Sequence, residues 1–175
     1  MTFFVLLSLP AAWAQGTFDL QENVPVEQNG LSYGYRIRNE KVKEVKDENY
    51  SRYEIEVYVT NNSGCPKVLL FRDINMGGSS MGVGSSPQTV AFFDCLNATG
   101  KRLTAKNQNV DARIFRLPHR IQETGADGKT ITRYAEAEVG YGIRNGETVV
   151  ANMIVIVPLG QRPSFTCRTA PFSTF

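Results

Sequence analysis

Residues 135–157 read AEAEVGYGIRNGETVVANMIVIV, and this stretch decides the fold class. Ala135, Ala137, Val139, Tyr141 and Ile143 recur at every second position, the period of a strand whose alternate side chains share one face. No apolar spacing of three or four residues competes with it. Asn145-Gly146 follows, a dipeptide that tolerates the positive φ angles of a type I′ turn. The expectation is a hairpin in which 135–143 pairs back on 149–157. Val149 to Val157 is apolar on both faces, which predicts a central strand in a sheet covered on both sides.

The same period extends outward along the chain. Tyr53, Ile55, Val57 and Val59 share one face of a strand, with Glu54, Glu56 and Thr60 opposite. Tyr33, Tyr35 and Ile37 alternate with Ser32, Gly34 and Arg36, and Lys46-Asp47-Glu48-Asn49 reads as the turn between these two strands. Further strands are predicted over 65–72, 88–95 and 110–117. Ala126-Asp127-Gly128, set between Ile121 and Ile131, marks another hairpin. The tyrosines at 33, 35, 53 and 141 fall on apolar phases and are assigned to the core. Gly140 and Gly142, inside a predicted strand with no helix after them, read as room for a large neighbouring side chain. About nine strands punctuated by turns predict an all-β chain: a single antiparallel β-sandwich, immunoglobulin-like in strand spacing. The Cys–Trp–Cys pattern of true immunoglobulin domains is missing. No repeat or composition shift divides residues 15–175, which are read as one domain.

The first fourteen residues read as an address. Phe3 to Leu9 is apolar, and Ala12-Trp13-Ala14 offers the small-x-small pattern of a signal peptidase site before Gln15. No Lys or Arg precedes the apolar run, although export signals normally open with a positive region, and the expected repair is a true start upstream of Met1. Removal of residues 1–14 takes away the one tryptophan and predicts a secreted or periplasmic protein. No stretch reaches the roughly 18 apolar residues of a membrane-spanning helix. Nineteen Lys+Arg against seventeen Asp+Glu give a net charge of +2, which offers no electrostatic case for nucleic acid.

Export permits disulfides among Cys65, Cys95 and Cys167. If strands 65–72 and 88–95 form a hairpin, the indices of opposed residues have a constant sum. Arg72 with Gln88 and Cys65 with Cys95 both sum to 160, so a Cys65–Cys95 bridge is predicted at the hairpin's open end. It would stabilise the fold by about 3–4 kcal/mol on a chain-entropy account. Cys95–Cys167 is the competitor and reduced thiols the remainder. Pro163 and Pro171 make the C-terminal segment read as a tail poor in regular structure.

Chemistry-bearing motifs are sparse. Gly78-Ser79-Ser80-Met81-Gly82 fits G-x-S-x-G, with Asp94 or Asp111 and then His119 following in the order of a serine hydrolase. Such chemistry needs Ser80 on a tight strand-to-helix turn, and no helix is predicted there. A single histidine cannot make a multi-histidine zinc site. Asp47-Glu48-Asn49 lacks the spaced ligands of a calcium loop. No cofactor is called for. Asn61-Asn62-Ser63 and Asn97-Ala98-Thr99 match the glycosylation triplet and are also ordinary turn sequences. A carbohydrate-binding module would use flat aromatics, tryptophan above all, which residues 15–175 lack. An outer-membrane barrel is opposed by Pro163 and Pro171 in the closing segment, because unpaired backbone groups in lipid cost several kcal/mol each. The expectation is an exported, non-catalytic module with a binding or structural role, meeting a protein or glycan partner in the envelope or outside the cell. The Gly/Ser-rich loop from Asn75 to Pro87, with Met76 and Met81, is its first candidate binding surface. The alternatives are a small secreted hydrolase using Ser80, a carbohydrate-binding module and an outer-membrane barrel.

Overall fold

The computed structural model describes residues 16–45, 48–70, 88–103, 105, 108–124 and 128–169. Among them the chain forms eleven strands and no helix, and every strand pairing is antiparallel. The all-β expectation holds. Residues 1–14 and the loop carrying Met76, Ser80 and Met81 lie outside the described residues.

One four-stranded sheet runs in the order β1 (Thr17–Leu20), β11 (Ser164–Thr169), β6 (Thr89–Leu96) and β7 (Asn109–Asp111). A second runs β10 (Thr148–Pro158), β4 (Glu48–Asn61), β3 (Leu31–Val45) and β2 (Val26–Gln28). Their alternating apolar rows meet in one core: Tyr53, Ile55, Val57 and Val59 of β4 and Val155 and Val157 of β10 face Ala91, Phe93 and Cys95 of β6 and Phe165 of β11. The Tyr35 and Phe165 rings lie 4.5 Å apart and those of Phe18 and Tyr33 5.5 Å, each pair joining one sheet to the other. At one side a tight corner with a Gln21–Val24 bridge links β1 to β2; at the other, β7 lies alongside β10. After β4, the chain lays β6 and β7 into the first sheet and returns, after β8 and β9, as β10 beside β4. All four tyrosines assigned to the core are buried.

The third sheet has the order β5 (Lys67–Leu70), β9 (Thr130–Ile143) and β8 (Arg113–Thr124). It corrects the reading of residues 135–157. β9 is occupied by β5 on one side and β8 on the other, and β10 pairs with β4 in the second sheet. Gly146 takes a positive φ of 75° while Asn145 does not, so the dipeptide is not the type I′ turn that twists a hairpin. Glu147 N donates to Arg144 O, and the turn passes the chain from one sheet to another. The hairpin at 121 and 131 forms as expected, with Gln122 opposite Thr132. β10 is also not central: it ends its sheet, and the side chains of its second apolar face are exposed.

The hairpin proposed to oppose Cys65 and Cys95 does not form. Both sides of β6 are taken, by β11 and β7, and β5 pairs with residues Gly140 to Ile143 instead. All three cysteines are free thiols, Cys65 exposed and the other two buried. The competing pair fails on register. Cys95 lies opposite Phe165, and Cys167 opposite Phe93, which makes the two cysteines diagonal neighbours. Diagonal positions stand about 7–8 Å apart, beyond the usual disulfide span. Within the C-terminal segment, residues Ser164–Thr169 are no loose tail either. β11 lies between β1 and β6, and Phe165 and Cys167 are buried in the core.

Candidate functional site: an exposed hairpin arm

From Arg116 outward β8 pairs only with β9, and residues 130–138 of β9 pair only with β8. At about 3.4 Å per residue the stretch of β8 from Arg116 to Thr124 spans about 30 Å. A bulge between Phe115 and Arg116 shifts the register by one, which resets the facing of every side chain beyond it. The rows past the bulge sort cleanly. Leu117 with Ala137, His119 with Ala135, Ile121 with Arg133 and Glu123 with Ile131 form one face. Arg116 with Glu138, Pro118 with Glu136, Arg120 with Tyr134 and Gln122 with Thr132 form the other. The second face is held by polar contacts, including an Arg116–Glu138 ion pair at 2.7 Å. The first carries Leu117, Ile121, Ile131 and two alanines, beside His119 and an Arg133–Glu123 ion pair at 3.7 Å, and Leu117 and Ile131 are nearly half exposed. A two-stranded ribbon is marginal in water without something against its apolar face.

The base of the arm is rigid. Gly142 lies between Val68 of β5 and Arg113 of β8. A Cβ there would stand 2.8 Å from the Lys67 carbonyl oxygen and 2.9 Å from the Phe115 ring. The glycine therefore makes room for a neighbour, as its place in the sequence implied. Asn61, fully buried at the end of β4, ties the arm's root to the second sheet. Its Nδ2 donates to the carbonyls of Ile143 (2.9 Å) and Cys65 (2.8 Å), and its Oδ1 accepts from Ser63 N and Oγ. Its backbone N–H donates to Glu147 O and its carbonyl accepts from Gly146 N. The first glycosylation triplet thus holds an asparagine with no free amide. Asn97 Oδ1, in the second, closes a turn by accepting from Thr99 and Lys101.

The structure does not gather the hydrolase-like residues around His119. That side chain is exposed midway along the arm, opposite Ala135. Asp111 sits on β7, accepting 2.7 Å from Thr89 Oγ1. Asp94, on β6, is paired with Arg168 at 2.8 Å and Arg102 at 2.5 Å. Ser80 lies outside the described residues, as do Met76 and Met81. Burial pushes the Cys95 and Cys167 thiols up to about 12, helped at Cys167 by the Asp94 charge, so neither is a nucleophile at neutral pH.

Two further polar arrangements occur. On the outer face of the second sheet Glu56 is gripped from both sides, by Arg36 at Oε1 and Arg38 at Oε2. Burial alone would raise its carboxyl, but the hydrogen bonds from Arg38 and Arg36 outweigh it and hold the group below the usual glutamate range. Between β7 and β10 an open cleft of about 590 Å³ is lined by Gln108, Asn109, Asp111, Val150 and Asn152. Among the described residues no three His, Cys, Asp or Glu side chains are grouped to hold a metal, and no helix is long and apolar enough to cross a membrane. No protein-family model, curated protein or solved structure matches the chain. Sequence reading missed Asn61, which looked like a turn residue. It also missed the arm's apolar row, although Leu117, His119 and Ile121 carry the alternation that could have found it.

Proposed function

We propose that the chain is an exported, non-catalytic module of β-sandwich architecture, immunoglobulin-like in its two packed four-stranded sheets, with a binding or structural role toward a protein or glycan partner in the envelope or outside the cell. Its last strand lies beside its first, so the likeness concerns architecture and not strand order. The observation that carries the reading is the arm: about 30 Å of ribbon, rooted by Asn61 and Gly142, with a row of Leu117, Ile121 and Ile131 in which Leu117 and Ile131 are nearly half exposed. Large apolar side chains exposed beside charged ones on a well-rooted ribbon are a feature of interaction sites. The test is affinity capture from the cell envelope with the wild-type chain and with a Leu117→Ser/Ile121→Ser/Ile131→Ser variant. Capture lost in the variant, with the thermal unfolding of the core unchanged, supports the reading. Equal capture removes the arm from it, and loss in Met76→Ala/Met81→Ala instead returns the site to the 75–87 loop. Stoichiometric fluorophosphonate labelling that disappears in Ser80→Ala would overturn the non-catalytic assignment.

A further inference from the structure

β10 has the sequence of an interior strand and the position of an edge. Thr148 to Pro158 reads TVVANMIVIVP, eleven residues without one charge. Val149, Met153, Val155 and Val157 are buried in the core, while Val150, Ile154 and Ile156 on the opposite face are 48–56% exposed. Edge strands are commonly protected by shortness, charge or proline. Every other sheet edge among the described strands has such protection. β1, β2, β5 and β7 are three or four residues long, and β8 carries Arg113, Arg116, Pro118, Arg120 and Glu123. β10 has only Pro158, at its end. β7 lies beside its first half, near Val150 to Asn152, and no described strand pairs with the side facing away from β4.

We infer that the second half of β10 is an assembly strand, which pairs antiparallel with β10 of a second copy about a two-fold axis through Val155. This contact is independent of the arm. In that register the indices of opposed residues sum to 310. Ile154 meets Ile156 of the other copy, and Met153 meets Val157. Four isoleucines then form one patch on the outer face, and the two second sheets become one eight-stranded sheet. Arg52 and Glu54, which flank this strip on β4, are ion-paired with each other within the chain, so the strip presents no charge that a partner must match, and a second copy of the same uncharged strip meets that requirement. Glu54 stands beside Ile154 and Arg52 beside Ile156 on β4. One segment supplies both halves of a self-complementary contact.

Sedimentation velocity of the purified chain over a concentration series tests this. A dimer that dissociates on dilution is expected. Ile154→Lys and Ile156→Lys each should raise its dissociation constant by roughly tenfold or more, with circular dichroism unchanged. The arm variant Leu117→Ser/Ile121→Ser/Ile131→Ser should dimerise like wild type. A wild-type chain that stays monomeric up to its solubility limit overturns the inference. So does a dimer that survives both lysine variants, or one lost in the arm variant alone.

Discussion

Replacing Asn61 by alanine removes one side chain that closes four hydrogen bonds, and the structure fixes what is left behind. The Ile143 carbonyl, whose bond to Asn61 Nδ2 is fully buried, loses its side-chain donor where water cannot replace it, at about 1–3 kcal/mol. The Cys65 carbonyl and the Ser63 N–H and hydroxyl are nearer solvent, and their loss adds about 0.5–1.5 kcal/mol. The expected destabilisation is about 2–4 kcal/mol, read as a lower urea midpoint with an unchanged denaturant slope. Asn61→Asp separates this account from simple loss of volume. A carboxylate of nearly the same shape points at two carbonyl oxygens in a fully buried place. Its folded-state pKa must rise above the unfolded value of about 3.9. The ionised form is then the destabilised one, so the penalty is full above the raised folded pKa and falls as pH drops through it. Asn61→Asp should therefore be less stable than Asn61→Ala at pH 7 and gain on it at pH 4–5. An alanine cost below about 0.5 kcal/mol, or parallel pH profiles for the two variants, would refute the role given to Asn61.

Phe165→Ala should cost about 3–5 kcal/mol in thermal or urea unfolding, because the ring is buried between the sheets against Tyr35; a near-neutral result would detach β11 from the core. Alkylation of the folded chain should modify Cys65 alone and reach Cys95 and Cys167 only in denaturant, and a reducing agent should leave the unfolding temperature unchanged. Glu56 is held ionised by Arg36 and Arg38 below the ordinary glutamate range. Its contribution is thus fully present above the unfolded pKa of about 4.3 and is lost as pH falls through the lower folded value. Glu56→Gln should accordingly lose stability at pH 7 and flatten the acid limb of the stability profile, and an unaltered acid limb would count against the clasp. Gly142→Ala should destabilise the arm's root, since its Cβ meets the Lys67 carbonyl oxygen and the Phe115 ring inside normal contact; amide exchange in residues 113–116 and 140–143 should accelerate relative to the core.

Strands were legible wherever alternation ran long. Tyr33–Ile37 and Tyr53–Val59 show their inward faces in the order of residues, and the structure packs those faces into the core with the tyrosines included, whereas of the 135–143 face only Tyr141 and Ile143 are buried. Neighbours were not legible, because alternation states which way a side chain points and says nothing of which strand lies alongside. The Cys65–Cys95 index sum was consistent with one pairing, yet β6 could accept only two neighbours and took β11 and β7. β11 itself escaped notice because six residues following Pro163 carry only Phe165 and Cys167 as inward apolar groups. It is a strand because Phe93, Cys95 and Tyr35 bury those two side chains, a tertiary cause with almost no local trace.

The arm and β10 fail legibility in opposite directions, and both failures bear on function. Leu117, Ile121 and Ile131 alternate as half-buried strands do, and the sequence carries no sign that Leu117 and Ile131 stay nearly half exposed. β10 reads as a strand enclosed on both faces, and within one copy its outer face is open. In each case local sequence asks for more cover than the single chain supplies. Local and global preferences that disagree are most often found at functional or strained places. A strand has strain to show only in its dihedrals, and β10 contains no residue at positive φ. Its mismatch is therefore one of missing neighbours, which a second chain can supply without any change of fold. An apolar edge of this length that stayed bare would invite uncontrolled pairing, whereas a two-fold contact ending at Pro158 closes on itself.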